Sequence, residues 1–291
     1  MKMSEFFCNF AGNIVIRKMT KTKIIYVSQE IAPYLKVSEN ATLDRELPQR
    51  IQDLGYEVRT FMPDFGEVNE RRNQLHEVIR LSGVSIVIGD NDHPLVVKVA
   101  SMQPSRIQVY FIDNDDYFQK LASDSDPFGS NRPDNDERMI FYAHGTMTTA
   151  KKLRWETDVM HVSGWMSSLV PLYLKRLFAD GPSFHRTKVV YTVMPENELA
   201  PISDKLFDKL RVEGVKKNDL KPFLDMPLDN KLLHSMAIQW SDGVVFRGIE
   251  PDPDLVARCE ANGTPWISID ADDPHAPELD EFYKSLMTKK K

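Results

Sequence analysis

The sequence predicts an α/β chain built as a doubly wound, Rossmann-like parallel sheet with a β-hairpin-rich insertion. Two patterns carry this reading. Residues 23–62 run strand, helix, glycine, strand, and residues 158–287 alternate short apolar runs with helical periodicity. Alternation of this kind favours a parallel sheet with right-handed crossovers.

The first strand is KIIYVS (23–28), dense in β-branched and aromatic residues. A helix follows over residues 42–54, where Leu43, Leu47, Ile51 and Leu54 give one apolar face and Gly55 stands at the usual C-terminal stop. EVRTFM (57–62) is the second strand. Between residues 75 and 112 the runs 76–81, 84–88, 95–101 and 106–112 are separated by Ser-Gly, Gly-Asp-Asn-Asp and Gln-Pro-Ser, which are turn signals between strands. Residues 113–132, with Asp124, Asp126, Pro127 and Gly129, read as a long surface loop. Helices are expected at 134–153, 165–178, 203–210, 228–239, 254–262 and 277–287, and strands at 158–161, 188–193, 243–246 and 265–269. Residues 21–288 are expected to form one domain, with residues 1–20 a disordered extension in which Met19 is a second candidate start.

Composition narrows the function classes. The chain has 291 residues, 42% hydrophobic and 27% charged, which fits a globular protein and not a disordered one. A net charge of -6 argues against a nucleic-acid partner and permits a neutral one such as a sugar polymer. The two cysteines, Cys8 and Cys259, show no metal-ligand spacing and the histidines no shared face, so no metal site is expected. No run approaches eighteen apolar residues and residues 1–18 make a poor signal peptide, so no membrane partner is expected and the cytoplasm is the expected location. GxSxG, GxxxxGK[ST] and HExxH signatures are absent.

Ser28, Glu30, Ala32, Pro33, Lys36, Leu47, Pro48, Gly55, Val58, Pro63 and Gly66 fall in register with S-x-E-x-A-P-x-x-K-x-G-G-L and the segments after it. VYFIDNDDYF (109–118), PDNDER (133–138), DVMHVSGWMSSLVPLYLK (158–175) and KVVYTV (188–193) follow in order. On these five motifs the chain resembles the N-terminal half of the glycogen and starch synthases, ADP-glucose-dependent glycosyltransferases of the GT-B fold. The resemblance implies an acceptor-side domain for an α-1,4-glucan such as glycogen. It implies glucosyl transfer from the donor substrate ADP-glucose, with no further cofactor. The donor-binding domain of the family is expected to be absent from this chain, so a separate donor-domain chain is a conceivable partner.

The resemblance also implies a site. Lys36 matches the family's phosphate-meeting lysine, but Ser38 and Glu39 replace the two glycines that let a ligand approach the backbone. A solvated loop lysine is the competing reading. His161 matches the first histidine of H-x-H-D-W and is the catalytic candidate; a hydrogen-bonded core histidine fits equally well. Asp134 and Asn135 are implied to face the acceptor, although capping of the following helix also accounts for them. Tyr110 and Asp113 close the set as glucan-contacting candidates at a strand end. Three functions remain open: weak or absent glucosyl transfer by this chain alone, non-catalytic glucan binding or regulation, or an α/β domain repurposed for a partner protein.

Overall fold

The computed structural model describes residues 21–119, 126–196, 199 and 202–288. The expected extension 1–20, Cys8, Asp124 and the tail Lys289 to Lys291 lie outside the described residues.

The chain opens with β1 (Lys23–Val27), α1 (Asn40–Asp53), β2 (Glu57–Pro63) and α2 (Glu70–Asn73). The insertion holds β3 (His76–Glu77), β4 (Val84–Ile88), β5 (Asn91–Met102) and β6 (Ile107–Asp113). Then come α3 (Asn135–Lys152), β7 (Val159–Ser163), α4 (Val170–Tyr173), β8 (Lys188–Val193), α5 (Leu206–Val212) and α6 (Lys217–Leu220). The chain closes with α7 (Asn230–Gln239), β9 (Gly243–Arg247), α8 (Pro253–Asn262), β10 (Trp266–Ile269) and α9 (Ala276–Thr288).

Among the described residues ten strands form one sheet, in the order β10-β9-β8-β7-β1-β2-β6-β5-β3, with β4 paired to β5. β10 through β6 pair in parallel, and β5 returns antiparallel along β6 with β3 and β4 attached to it. The doubly wound sheet and its hairpin insertion are therefore as expected. The central strands are buried on both faces: β7, β8 and β9 bury every residue except Lys188. That is why their sequences are continuous apolar runs and not alternating ones.

Two expectations need correction. Residues 165–178 are not one helix: they form a 3-10 turn (Trp165–Ser167), α4, and a π-helical turn (Leu174–Phe178). Ser167 Oγ bonds back to the carbonyls of Ser163 and Gly164, and Pro171 has no N–H to continue a ladder through this segment. The run 76–81 supplies only two residues to a strand, because Leu81 and Ser82 turn back onto the Val78 carbonyl.

α9 crosses β9 at Gly243, where an added Cβ would lie 2.8 Å from both Leu286 Cδ1 and Phe282 Cζ. The glycine thus sets the seating of the helix that carries Tyr283 into the core. Gly243→Val should lower stability by about 1–3 kcal/mol through overpacking, read as a reduced urea midpoint with an unchanged slope.

Candidate ligand crevice

From β1 the chain steps outward to β2, and from β7 it steps the other way to β8, so the β1/β7 boundary is the switch point of the sheet. Ligands of open α/β sheets bind outside the carboxyl ends of the strands at such a point. A cavity of about 350 Å³ lies there, lined by Glu30, Ser38, Asn40, Phe128, Trp165 and Glu196 among others. Gly164, at φ 86°, lets the turn after β7 pass close to the turn after β1: a Cβ there would sit 2.7 Å from Gln29 Cβ. Gln29 Oε1 in turn accepts from the Met166 N–H at 3.3 Å.

The loop leading into α1 is folded onto an internal carboxylate. Glu30 Oε2 accepts from the N–H groups of Val37 (2.8 Å) and Ser38 (3.0 Å), and Ser38 Oγ donates to Glu30 Oε1. Ser38 Oγ also accepts from the Asn40 N–H at 3.1 Å, and Asn40 Nδ2 donates to the Pro195 carbonyl at 3.0 Å. Burial raises the Glu30 carboxyl above its ordinary value, against the opposing bonds from Ser38 and Val37. An amide nest at a helix start normally attracts anions. Here the protein's own carboxylate occupies it, and Glu39 adds a second negative charge.

Beneath the cavity runs a buried polar floor. Ser163 Oγ donates to Asp44 Oδ2 at 3.0 Å, and Arg247 Nη1 lies 3.9 Å from Asp44 Oδ1. Burial pushes the Asp44 carboxyl up to about 6, with Arg247 and Ser163 pulling it down. His161 lies in the same layer, between Tyr283 Oη (2.5 Å from Nδ1) and Thr192 Oγ1 (2.6 Å from Nε2). Burial lowers its imidazole to about 3, and the Arg247 charge adds to the fall.

Glu196, just after β8, forms part of the cavity wall. Its side chain is 5% exposed, and neither carboxylate oxygen has a hydrogen-bond partner among the described residues. Burial pushes this carboxyl up to about 8; the Trp165 N–H facing it opposes the rise and Asp44 adds to it. Among the described residues no group of three or more His, Cys, Asp or Glu is placed to hold a metal ion, and no helix is long and apolar enough to cross a membrane.

The starch synthase catalytic domain profile matches residues 23–244. The chain belongs to that family. It is 34% identical over 194 residues to a glycogen synthase of Chlorobium luteolum, covering 66% of this chain and 40% of that protein. With a glycogen synthase of Chlorobium phaeobacteroides the identity is 32% over 235 residues, 78% of this chain and 48% of the relative. The chain thus spans less than half the length of these curated relatives. Its fold matches the catalytic domain of starch synthase IV from Arabidopsis thaliana, solved bound to ADP and acarbose, with a TM-score of 0.68, 14% identity, and coverage of 86% of this chain and 51% of that one.

Within this synthase-family fold the six residues singled out from the sequence do not converge on the crevice. His161 is the hydrogen-bonded core histidine, with both ring nitrogens engaged, and is not open to a ligand. Lys36 is a solvated loop lysine, 3.9 Å from Glu39 and outside the cavity lining. Tyr110 stacks on Phe61 in the sheet interior and donates to Gln108 Oε1 at 2.8 Å. Asp113 takes a 2.5 Å bond from Lys98, which also holds Asp64 (2.8 Å) and Glu70 (2.9 Å). Asp134 is clamped by Arg132 at 2.5 and 2.8 Å. Asn135 donates to the Ser130 carbonyl and accepts from Arg138 Nη1, holding the loop that carries Phe128.

Sequence reasoning missed Glu196, Asp44 and Arg247. The detectable signal was charge at a strand end: Arg247 closes an apolar run, and Glu196 lies three residues beyond another.

Two outcomes follow from these contacts. Lys98→Met leaves the buried Asp64 and Asp113 without their cation and should cost about 3–5 kcal/mol in chemical denaturation. The neutral His161 contributes stability that is fully present above its unfolded value of about 6.5 and is lost as pH falls through that value toward about 3. Stability of His161→Gln should therefore fall less than that of the parent between about pH 6.5 and pH 4; equal slopes would contradict a buried neutral imidazole.

Proposed function

We propose that this chain is a glycogen/starch synthase-like component of α-1,4-glucan metabolism. It binds the glucan at the carboxyl edge of its sheet and, by itself, transfers glucose from ADP-glucose weakly or not at all. The observation that carries the reading is the closed loop: Val37 and Ser38 donate to Glu30. An anionic diphosphate approaching those amides would meet Glu30 and Glu39, which repel it. A neutral polyhydroxylated ligand meets no such penalty, and the polar side chains of the wall, Gln29, Glu39 and Asn40, suit it.

Family membership supports the glucan as ligand class, and the starch synthase IV of similar fold carries acarbose, itself a saccharide. Glucosyl transfer requires a group that stabilises the departing pyrophosphate and orients the donor. Lys36, the one residue matching the family's phosphate-meeting lysine, is exposed beside Glu39. A separate chain supplying the donor side would be the partner for transfer, and a non-catalytic glucan-binding or regulatory role would need none.

The purified chain should be retarded on a glycogen affinity gel and incorporate little or no label from ADP-glucose into glycogen. Turnover comparable to that of a full synthase would overturn the weak-transfer reading. Absence of both retardation and turnover would overturn the glucan reading.

A further inference from the structure

At the opposite edge of the sheet, where the parallel strands β8 and β9 begin, lies a cavity of about 550 Å³. It opens between residues 174–188, the end of α7 and the last turn of α9. Its lining sets Lys175, Arg176, Arg186 and Lys188 against one carboxylate, Asp242. In a chain of net charge -6 that is a local surplus of cations.

The four cations differ in how far the fold already engages them. Lys175 donates to Asp242 Oδ2 at 2.6 Å and to the Thr187 carbonyl at 3.1 Å, and Lys188 reaches Asp242 Oδ1 at 3.3 Å. One carboxylate therefore offsets one of two ammonium charges. Arg176 Nε lies 3.2 Å from Asp219 Oδ1, and the guanidinium is held over the Trp240 ring at 4.0 Å from its centre. Neither Nη atom of Arg176 has a hydrogen-bond partner among the described residues. Arg186 is exposed and makes no hydrogen bond or ion pair among the described residues. Nor do the cations cap the helix end beside them. The Ala237 and Ile238 carbonyls of α7 accept from the N–H groups of Trp240 and Ser241 and from the Ser241 hydroxyl.

A guanidinium fixed over an aromatic face is pre-oriented, and its forked donors match the oxygens of a phosphate. Ala179, Trp240 and Met287 add a partly apolar wall beside those donors. A cationic ligand would be repelled here, and a neutral one would leave the surplus charge unanswered.

We propose that this amino-edge cleft binds a small phosphate monoester, with the phosphate taken by Arg176 and Arg186 and the organic body laid against Trp240 and Met287. The site lies across the sheet from the crevice and is independent of the glucan reading. It gives the chain a place for an anion at the edge opposite the one where Glu30 and Glu39 repel it.

The full nitrogen-15-labelled chain is titrated with phenyl phosphate and, separately, with inorganic phosphate, and the indole N–H resonances of its four tryptophans are followed. Loss of one resonance in Trp240→Phe identifies that of Trp240. Phenyl phosphate should move the Trp240 resonance saturably and leave that of Trp165, in the crevice wall, in place. Inorganic phosphate, with no body for the apolar wall, should bind more weakly, and added salt should weaken both. Arg186→Glu alters an exposed side chain and leaves the core intact; it should weaken phenyl phosphate about tenfold or more, and Arg186→Lys about threefold or less. No saturable movement at Trp240, or equal affinity in Arg186→Glu and the parent, overturns the proposal. Inorganic phosphate bound as tightly as phenyl phosphate marks an adventitious ion only and overturns it as well.

Discussion

The structure depends on one constraint: its central parallel strands are buried on both faces. β1, β7, β8 and β9 carry apolar side chains into helices above and below, so polar groups can reach a ligand only where the strands end. The turns after β1, β7 and β8 bring Glu30, Trp165 and Glu196 to one cavity from distant parts of the sequence. The polar residues that remain within the layer, His161 above all, must find internal partners, and His161 finds two.

Closure of the α1 loop decides what that cavity can hold. Where the family pattern has two glycines, Ser38 gives its N–H and its hydroxyl to Glu30. The Ser38 side chain fills the approach path and adds a hydroxyl donor to the two N–H groups that Glu30 takes up. Sequence, local geometry and electrostatics agree on this point. The crevice is lined by carboxylates and amides, and its buried cation, Arg247, lies below it beside Asp44.

Much of the fold was legible in the sequence because a parallel sheet writes itself as apolar runs. KVVYTV is β8 residue for residue, and residues 84–88 are β4. The segment 165–178 was misread because its periodicity is helical while Ser167 and Pro171 break the ladder, an effect of single side chains that periodicity does not register. The site was far less legible. Asp113, Asp134 and Asn135 look like ligand contacts in sequence, but each meets its charge or hydrogen-bond complement within the fold: Lys98, Arg132 and Arg138. Those pairings arise across the tertiary structure or within a tight loop, where spacing gives no warning. Glu196 carried no motif, and only its burial without a partner singles it out.

The central claim is that the amides of Val37 and Ser38 belong to Glu30 and not to a ligand. Backbone amide NMR of the labelled chain during titration with ADP-glucose tests it most directly. A loop closed on Glu30 predicts unmoved Val37 and Ser38 resonances with ADP-glucose, and shifts at Trp165 and Glu196 with maltoheptaose. Saturable movement of Val37 and Ser38 on adding ADP-glucose would contradict it.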